Sequence, residues 1–80
     1  MPRYFFHLRD GGDVLLDPEG RKLHGLDDVA RQALFEARSL ISQEALQGLI
    51  DLRQRIEVED ERQNLVHRLA FTEAVDIVKP

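Results

Sequence analysis

The sequence predicts an α+β fold: a ββαββ two-layer sandwich with one long amphipathic helix across one face of an antiparallel sheet. Three observations carry that expectation. Two short apolar runs near the start are divided by Asp10-Gly11-Gly12-Asp13, a strong turn signal. From Asp27 a helical period of apolar residues holds for about five turns. Further on, Ile56 and Val58 alternate with charged residues ahead of another apolar run at residues 65–71.

Residues 3–9 (RYFFHLR) read as a strand bounded by Pro2 and the glycine turn, and residues 14–18 as its return, which Pro18-Glu19-Gly20 ends or bends. The pleat sets the register. With Leu8 opposite Leu16 and Asp10 opposite Val14, the loop is the three residues Gly11 to Asp13. A two-residue loop would set Leu8 opposite Leu15 and Phe6 opposite Asp17, and the first choice, which pairs like with like, is preferred. Phe6, Leu8, Val14 and Leu16 then share the core face. Phe5, His7, Arg9, Leu15 and Asp17 share the other.

Residues 21–26 connect to the helix, with Asp27 as its N-cap and Asp28 in the first turn near the positive end of the helix dipole. Val29, Ala30, Ala33, Leu34, Ala37, Leu40, Ile41 and Ala45 recur at three- and four-residue steps, opposite Arg31, Gln32, Glu36, Arg38, Ser39 and Gln43. The small Ala30, Ala33 and Ala37 would let the helix lie close to a sheet. Gly48 is its natural stop, with Leu49 placed for the apolar contact of a Schellman motif. Residues 55–60 form a strand with Ile56 and Val58 inward and the charges outward, and Glu61 to Asn64 a polar turn in which Asn64 can take the left-handed conformation. Residues 65–71 are the fourth strand, and Thr72 caps a last helical turn.

Composition bounds the function. Eighty residues at 9.2 kDa make a single domain, 1–80, and 42% apolar with 32% charged residues is the balance of a folding chain. Eleven Lys and Arg against 15 Asp and Glu leave a net charge of −4, which argues against a dedicated nucleic-acid binder. No cysteine is present, so disulfides, thiolate catalysis and Cys-based zinc sites are excluded. The charged start MPRYFFHLRD is no signal peptide, and no apolar run approaches the ~20 residues of a membrane helix. A cytoplasmic protein is expected.

The start M-P-R-Y-F-F-H-L-R-D, the run Asp17-x-Glu19-Gly20, Leu26-Asp27 opening an Ala-rich helix, and Ile56-Glu57-Val58-Glu59-Asp60-Glu61 before a final strand together resemble a small bacterial family classed as a domain of unknown function. The resemblance covers nearly the whole chain. It implies one self-contained domain and supplies no activity. The chain departs from it at Arg62-Gln63-Asn64, where relatives carry a Gly, and at Pro18, where an acidic residue is frequent. In layout alone, a hairpin followed by an acid-capped helix is similar to the start of the antitoxins of HicA–HicB pairs, from which no residue role transfers.

No residue pattern points to a catalyst or a cofactor. His7, His24 and His67 show no i, i+3 or i, i+4 ligand spacing, so no metal site is read from them. Asp10, Asp13, Asp17 and Glu19 do not fit a calcium loop, and turn chemistry accounts for Asp10 and Asp13. Ser39, Ser42 and Thr72 have structural explanations, and one helix on four strands offers little concavity for a pocket. The arginines Arg53, Arg55, Arg62 and Arg68 of the second hairpin are interleaved with Glu57, Glu59, Asp60 and Glu61, a mixture typical of a solvated strand face.

The expected function is therefore non-enzymatic: a homodimer or partner-binding protein acting through Phe5, His7, Arg9, Leu15 and Asp17, since a single helix covers one sheet face only. A cross-strand His7–Asp17 ion pair would make that face responsive to pH. The competing expectation is an antitoxin-like regulator that meets nucleic acid through the second-hairpin arginines.

Overall fold

Alternation of Tyr4, Phe6 and Leu8 with Phe5, His7 and Arg9 gives the first strand one apolar face and one mixed face, and the whole molecule is organised about that difference. A computed structural model describes residues 1–80. In chain order the elements are β1 (Arg3–Asp10), β2 (Asp13–Leu15), β3 (Arg21–Lys22), α1 (Leu26–Leu46), β4 (Arg55–Glu59), β5 (Leu65–Ala70) and α2 (Phe71–Ala74). The strands form one antiparallel sheet of order β2-β1-β4-β5, with the two-residue β3 pairing the start of β1. Both helices pack on the same side. The α+β architecture is the one the sequence predicts.

The helix buries Val29, Ala33, Ala37 and Ile41, a stripe with a four-residue repeat. Its partners are Tyr4 and Phe6 of β1, Ile56 and Val58 of β4, and Phe71 and Ala74 of α2; Leu34 and Leu40 pack at the edge of this cluster. The carboxyl end is the predicted Schellman motif: the Gly48 amide donates to the Ala45 carbonyl at 3.0 Å and the Leu49 amide to the Glu44 carbonyl at 3.2 Å. The amino end lies two residues earlier than predicted. Gly25 is the N-cap with no side-chain cap, and Asp27 and Asp28 both fall in the first turn, where the helix dipole favours them.

The first hairpin corrects the predicted register. Leu8 pairs with Leu15, Arg9 with Val14 and Asp10 with Asp13, so the loop is two residues, Gly11-Gly12. Gly11 has φ +61° while Gly12 stays out of the positive region, the φ signature of a type II′ turn, whose twist suits a two-residue hairpin. The feared apolar–acidic mismatch never arises, because the ladder stops at Leu15. Asp17 leaves the strand and turns its carboxylate onto the Phe6 amide at 3.1 Å. Leu15 therefore moves to the helix side with Leu8 and is 70% exposed there, while Val14 joins Arg9 on the other face. The predicted connector also contains a strand, β3, which closes the other half of β1.

Three smaller corrections concern the last third of the chain. The left-handed residue of the β4–β5 turn is Gln63, at φ +66°, rather than Asn64; the Asp60 carboxylate binds the Arg62 and Asn64 amides, each at 2.9 Å, and holds the turn. The last strand ends at Ala70, one residue early, and Phe71 opens α2. Thr72 is not the cap: the Glu73 carboxylate takes the Ala70 amide at 2.9 Å.

Candidate functional site

On the helix-free face of the sheet, β1 contributes Phe5, His7 and Arg9, and β4 the residues directly opposite, Glu59, Glu57 and Arg55. Arg68 of β5 lies opposite Glu57. The register thus surrounds one carboxylate with three guanidinium groups from three adjacent strands. Glu57 Oε1 accepts from Arg9 Nε, and Oε2 lies 3.0 Å from Arg55 Nε and 3.3 Å from Arg68 Nε. The Glu57 side chain is only 11% exposed, whereas those of Arg9, Arg55 and Arg68 are 39%, 36% and 58% exposed. The carboxylate is rooted and the cations stand above it. Each arginine is held through Nε, so the Nη edges of all three carry no protein hydrogen bond.

Burial would raise the Glu57 carboxyl, but its hydrogen bonds to Arg55 and Arg9 and their charges outweigh that and hold it below the ordinary carboxylate range. The same contest is settled the same way at Asp17. Burial opposes ionisation there, while the amides of Phe6, Gly20 and Glu19 and the charge of Arg21 prevail. Both groups contribute stability that is complete above their unfolded values near pH 4 and is lost as pH falls through their lower folded ones, so both losses fall in acid, below about pH 4.5. Glu57→Gln should cost about 1–2 kcal/mol at pH 7, because the amide turns N–H donors toward arginines that are themselves donors. In urea titrations the gap between parent and variant should narrow at pH 3. An equal gap at both pH values would show that Glu57 is not the ionised centre of this cluster.

His7 and Asp17 do meet, but not as the predicted ion pair. The Asp17 backbone amide donates to His7 Nδ1 at 3.1 Å, and an amide can only donate, so Nδ1 is the unprotonated nitrogen. The proton then sits on Nε2, which points to Glu59 Oε1 at 3.2 Å. Protonating Nδ1 would break the amide contact instead of making a bridge. Nearby, a β-carbon on Gly20, which has φ +69°, would lie 2.8 Å from the Tyr4 carbonyl oxygen and 2.9 Å from a Phe5 ring carbon. Only glycine lets the chain pass so close to Phe5.

Of the predicted face, Phe5, His7 and Arg9 are brought together, Asp17 reaches its edge through His7, and Leu15 lies elsewhere. Of the second-hairpin arginines, Arg55 and Arg68 converge. Arg53 is engaged by the Asp51 carboxylate at 3.0 Å, and Arg62 sits in the Asp60-held turn. The residues the sequence reading missed are Glu57 as the hub and Arg9 as its third arginine. Three arginines around Glu57 become visible only once β1 is known to lie beside β4.

Elsewhere the surface holds shallow hollows. The largest, about 570 Å³, lies along α1 between Arg31, Phe35, Arg38 and Ser42. Ser39 and Ser42 line it with no histidine or carboxylate beside them. No group of three or more His, Asp or Glu side chains is placed to hold a metal ion, and no helix is long and apolar enough to cross a membrane.

No curated protein and no solved structure matches the chain. Residues 3–72 match a family covering most of the fold, from the first strand to the opening of α2. The chain belongs to that family, the domain of unknown function DUF6894.

Proposed function

We propose that this protein is a small, non-enzymatic, cytoplasmic interaction protein that acts through protein–protein contacts and self-associates as a homodimer across its helix-free sheet face. The observation that supports this reading is the composition of that face. Half-buried Phe5 and the 40% exposed Val14 flank a lattice of arginines paired with Glu57, and Leu16 reaches the cleft beside Phe5 from the sheet edge. Apolar area beside charged groups that have been ordered in advance is what a protein interface uses, because less side-chain entropy remains to be lost on association.

The competing reading, an antitoxin-like module that holds nucleic acid, draws support from Arg55 and Arg68 alone among the second-hairpin arginines. It must also overcome the net charge of −4. The experiment is a mass measurement by light scattering. The parent should approach twice 9.2 kDa at micromolar concentration, and Phe5→Glu should return it to one protomer with its helical circular dichroism intact. A parent that stays at one protomer when concentrated overturns the proposal.

A further inference from the structure

The helix-free face is electrically two-ended. Toward the Gly11-Gly12 turn lie Arg9, Arg55 and Arg68 around the single Glu57, a local balance of 3 − 1 = +2. Asp10 and Asp13 of the same hairpin are cross-strand partners that alternate to the helix side. Toward the other end, Glu59, Asp60 and Glu61 border Phe5 in a cleft of about 410 Å³.

Both ends hold unused hydrogen-bonding capacity. The three arginines present free Nη edges. Glu59 and Glu61 each spend only Oε1, on His7 Nε2 and on the Arg3 amide, which leaves Oε2 open in both. A face with donors at one end and acceptors at the other complements itself when turned end for end.

We infer that the occupant of this face is a second copy of the chain, related by a two-fold axis that runs between the two facing sheets, parallel to them and perpendicular to their strands. The arginine end of each copy then meets the acidic cleft of the other, and symmetry makes both contacts at once. A two-fold axis parallel to the strands would set arginines on arginines, which like-charge repulsion penalises. A guanidinium suits the cleft chemically: its planar Nη pair matches a carboxylate, and its face stacks on an aromatic ring such as Phe5. An extended polyanion fits less well, since the acidic half of the face repels it. The inference rests on the homodimer reading above and adds the orientation and the residues that set it.

Charge reversal tests it. Arg68→Glu and Glu61→Arg change exposed side chains, so both variants should keep the parent's circular dichroism. By equilibrium sedimentation, each single reversal should raise the dimer dissociation constant about tenfold or more, and the double reversal should return it to within about threefold of the parent. The parent dimer should also weaken between about 50 and 500 mM salt. A parent dimer indifferent to all three variants overturns the orientation and leaves the homodimer reading standing. A monomeric parent overturns both, and a monomeric parent that retains duplex DNA at low salt overturns both in favour of nucleic acid.

Discussion

Ala37→Arg should destabilise the protein by about 3–5 kcal/mol, because it forces a charge and a long side chain into a seam with no room for either. Ala37 and Ala33 are fully buried in the middle of α1, between Ile56 and Val58 on β4 and Phe71 on α2. Their small side chains let the helix lie close to the sheet. An arginine there must either push α1 off the sheet or bury an unpaired guanidinium, and both cost more than most single substitutions. For a domain of this size the loss corresponds to a fall in Tm of roughly 15 °C or more. Gln43→Arg, on the exposed side of the same helix, should change stability by less than about 0.5 kcal/mol and serves as the control. Equal melting of the two variants would mean that the buried stripe has been assigned to the wrong side of α1.

Phe71→Ala should cost about as much, roughly 3–5 kcal/mol in urea unfolding at pH 7. Phe71 is the largest of the fully buried side chains, and three hydrogen bonds hold its short helix in place. Its amide donates to the Gln54 carbonyl at 3.0 Å, the Glu73 carboxylate secures the Ala70 amide just before it, and Arg38 Nε donates to the Ala74 carbonyl at 2.8 Å. That short helix closes the end of the core between α1 and the sheet. Because its backbone is anchored independently of the ring, the site cannot collapse readily around a missing phenyl group, and the cavity term should persist. A loss below about 1 kcal/mol would show that α2 is an ornament and that the core closes without it.

The long helix was legible in the sequence because its signal is local and repeated. The four buried positions Val29, Ala33, Ala37 and Ile41 recur at one interval, and Gly48-Leu49 marks the end with its own hydrogen bonds. The alternation at Ile56 and Val58 was legible for the same reason, with inward residues separated by charge. Errors gathered where a choice depended on a distant residue. The hairpin register turned on whether Asp17 stays in the strand, and it leaves because the Phe6, Glu19 and Gly20 amides and His7 Nδ1 give it better partners than a ladder position would. Phe71 looked like the last residue of a strand because nothing in residues 65–71 records that the core needs a lid.

The candidate site divides along the same line. By itself the sequence determined that one face of the sheet stays free of a helix and that Phe5, His7 and Arg9 occupy it, since strand alternation is fixed within eight residues. Only the tertiary structure decided that β1 lies beside β4. That pairing sets His7 opposite Glu57 and Arg9 opposite Arg55, with Arg68 arriving from β5, and makes one buried carboxylate the anchor of three arginines. Residues 9 and 57 are 48 apart in the chain, and no local propensity connects them. Their meeting is a property of strand order, which the burial of Tyr4, Phe6, Ile56 and Val58 under α1 enforces by placing the two strands that carry the buried apolar side chains side by side at the centre of the sheet.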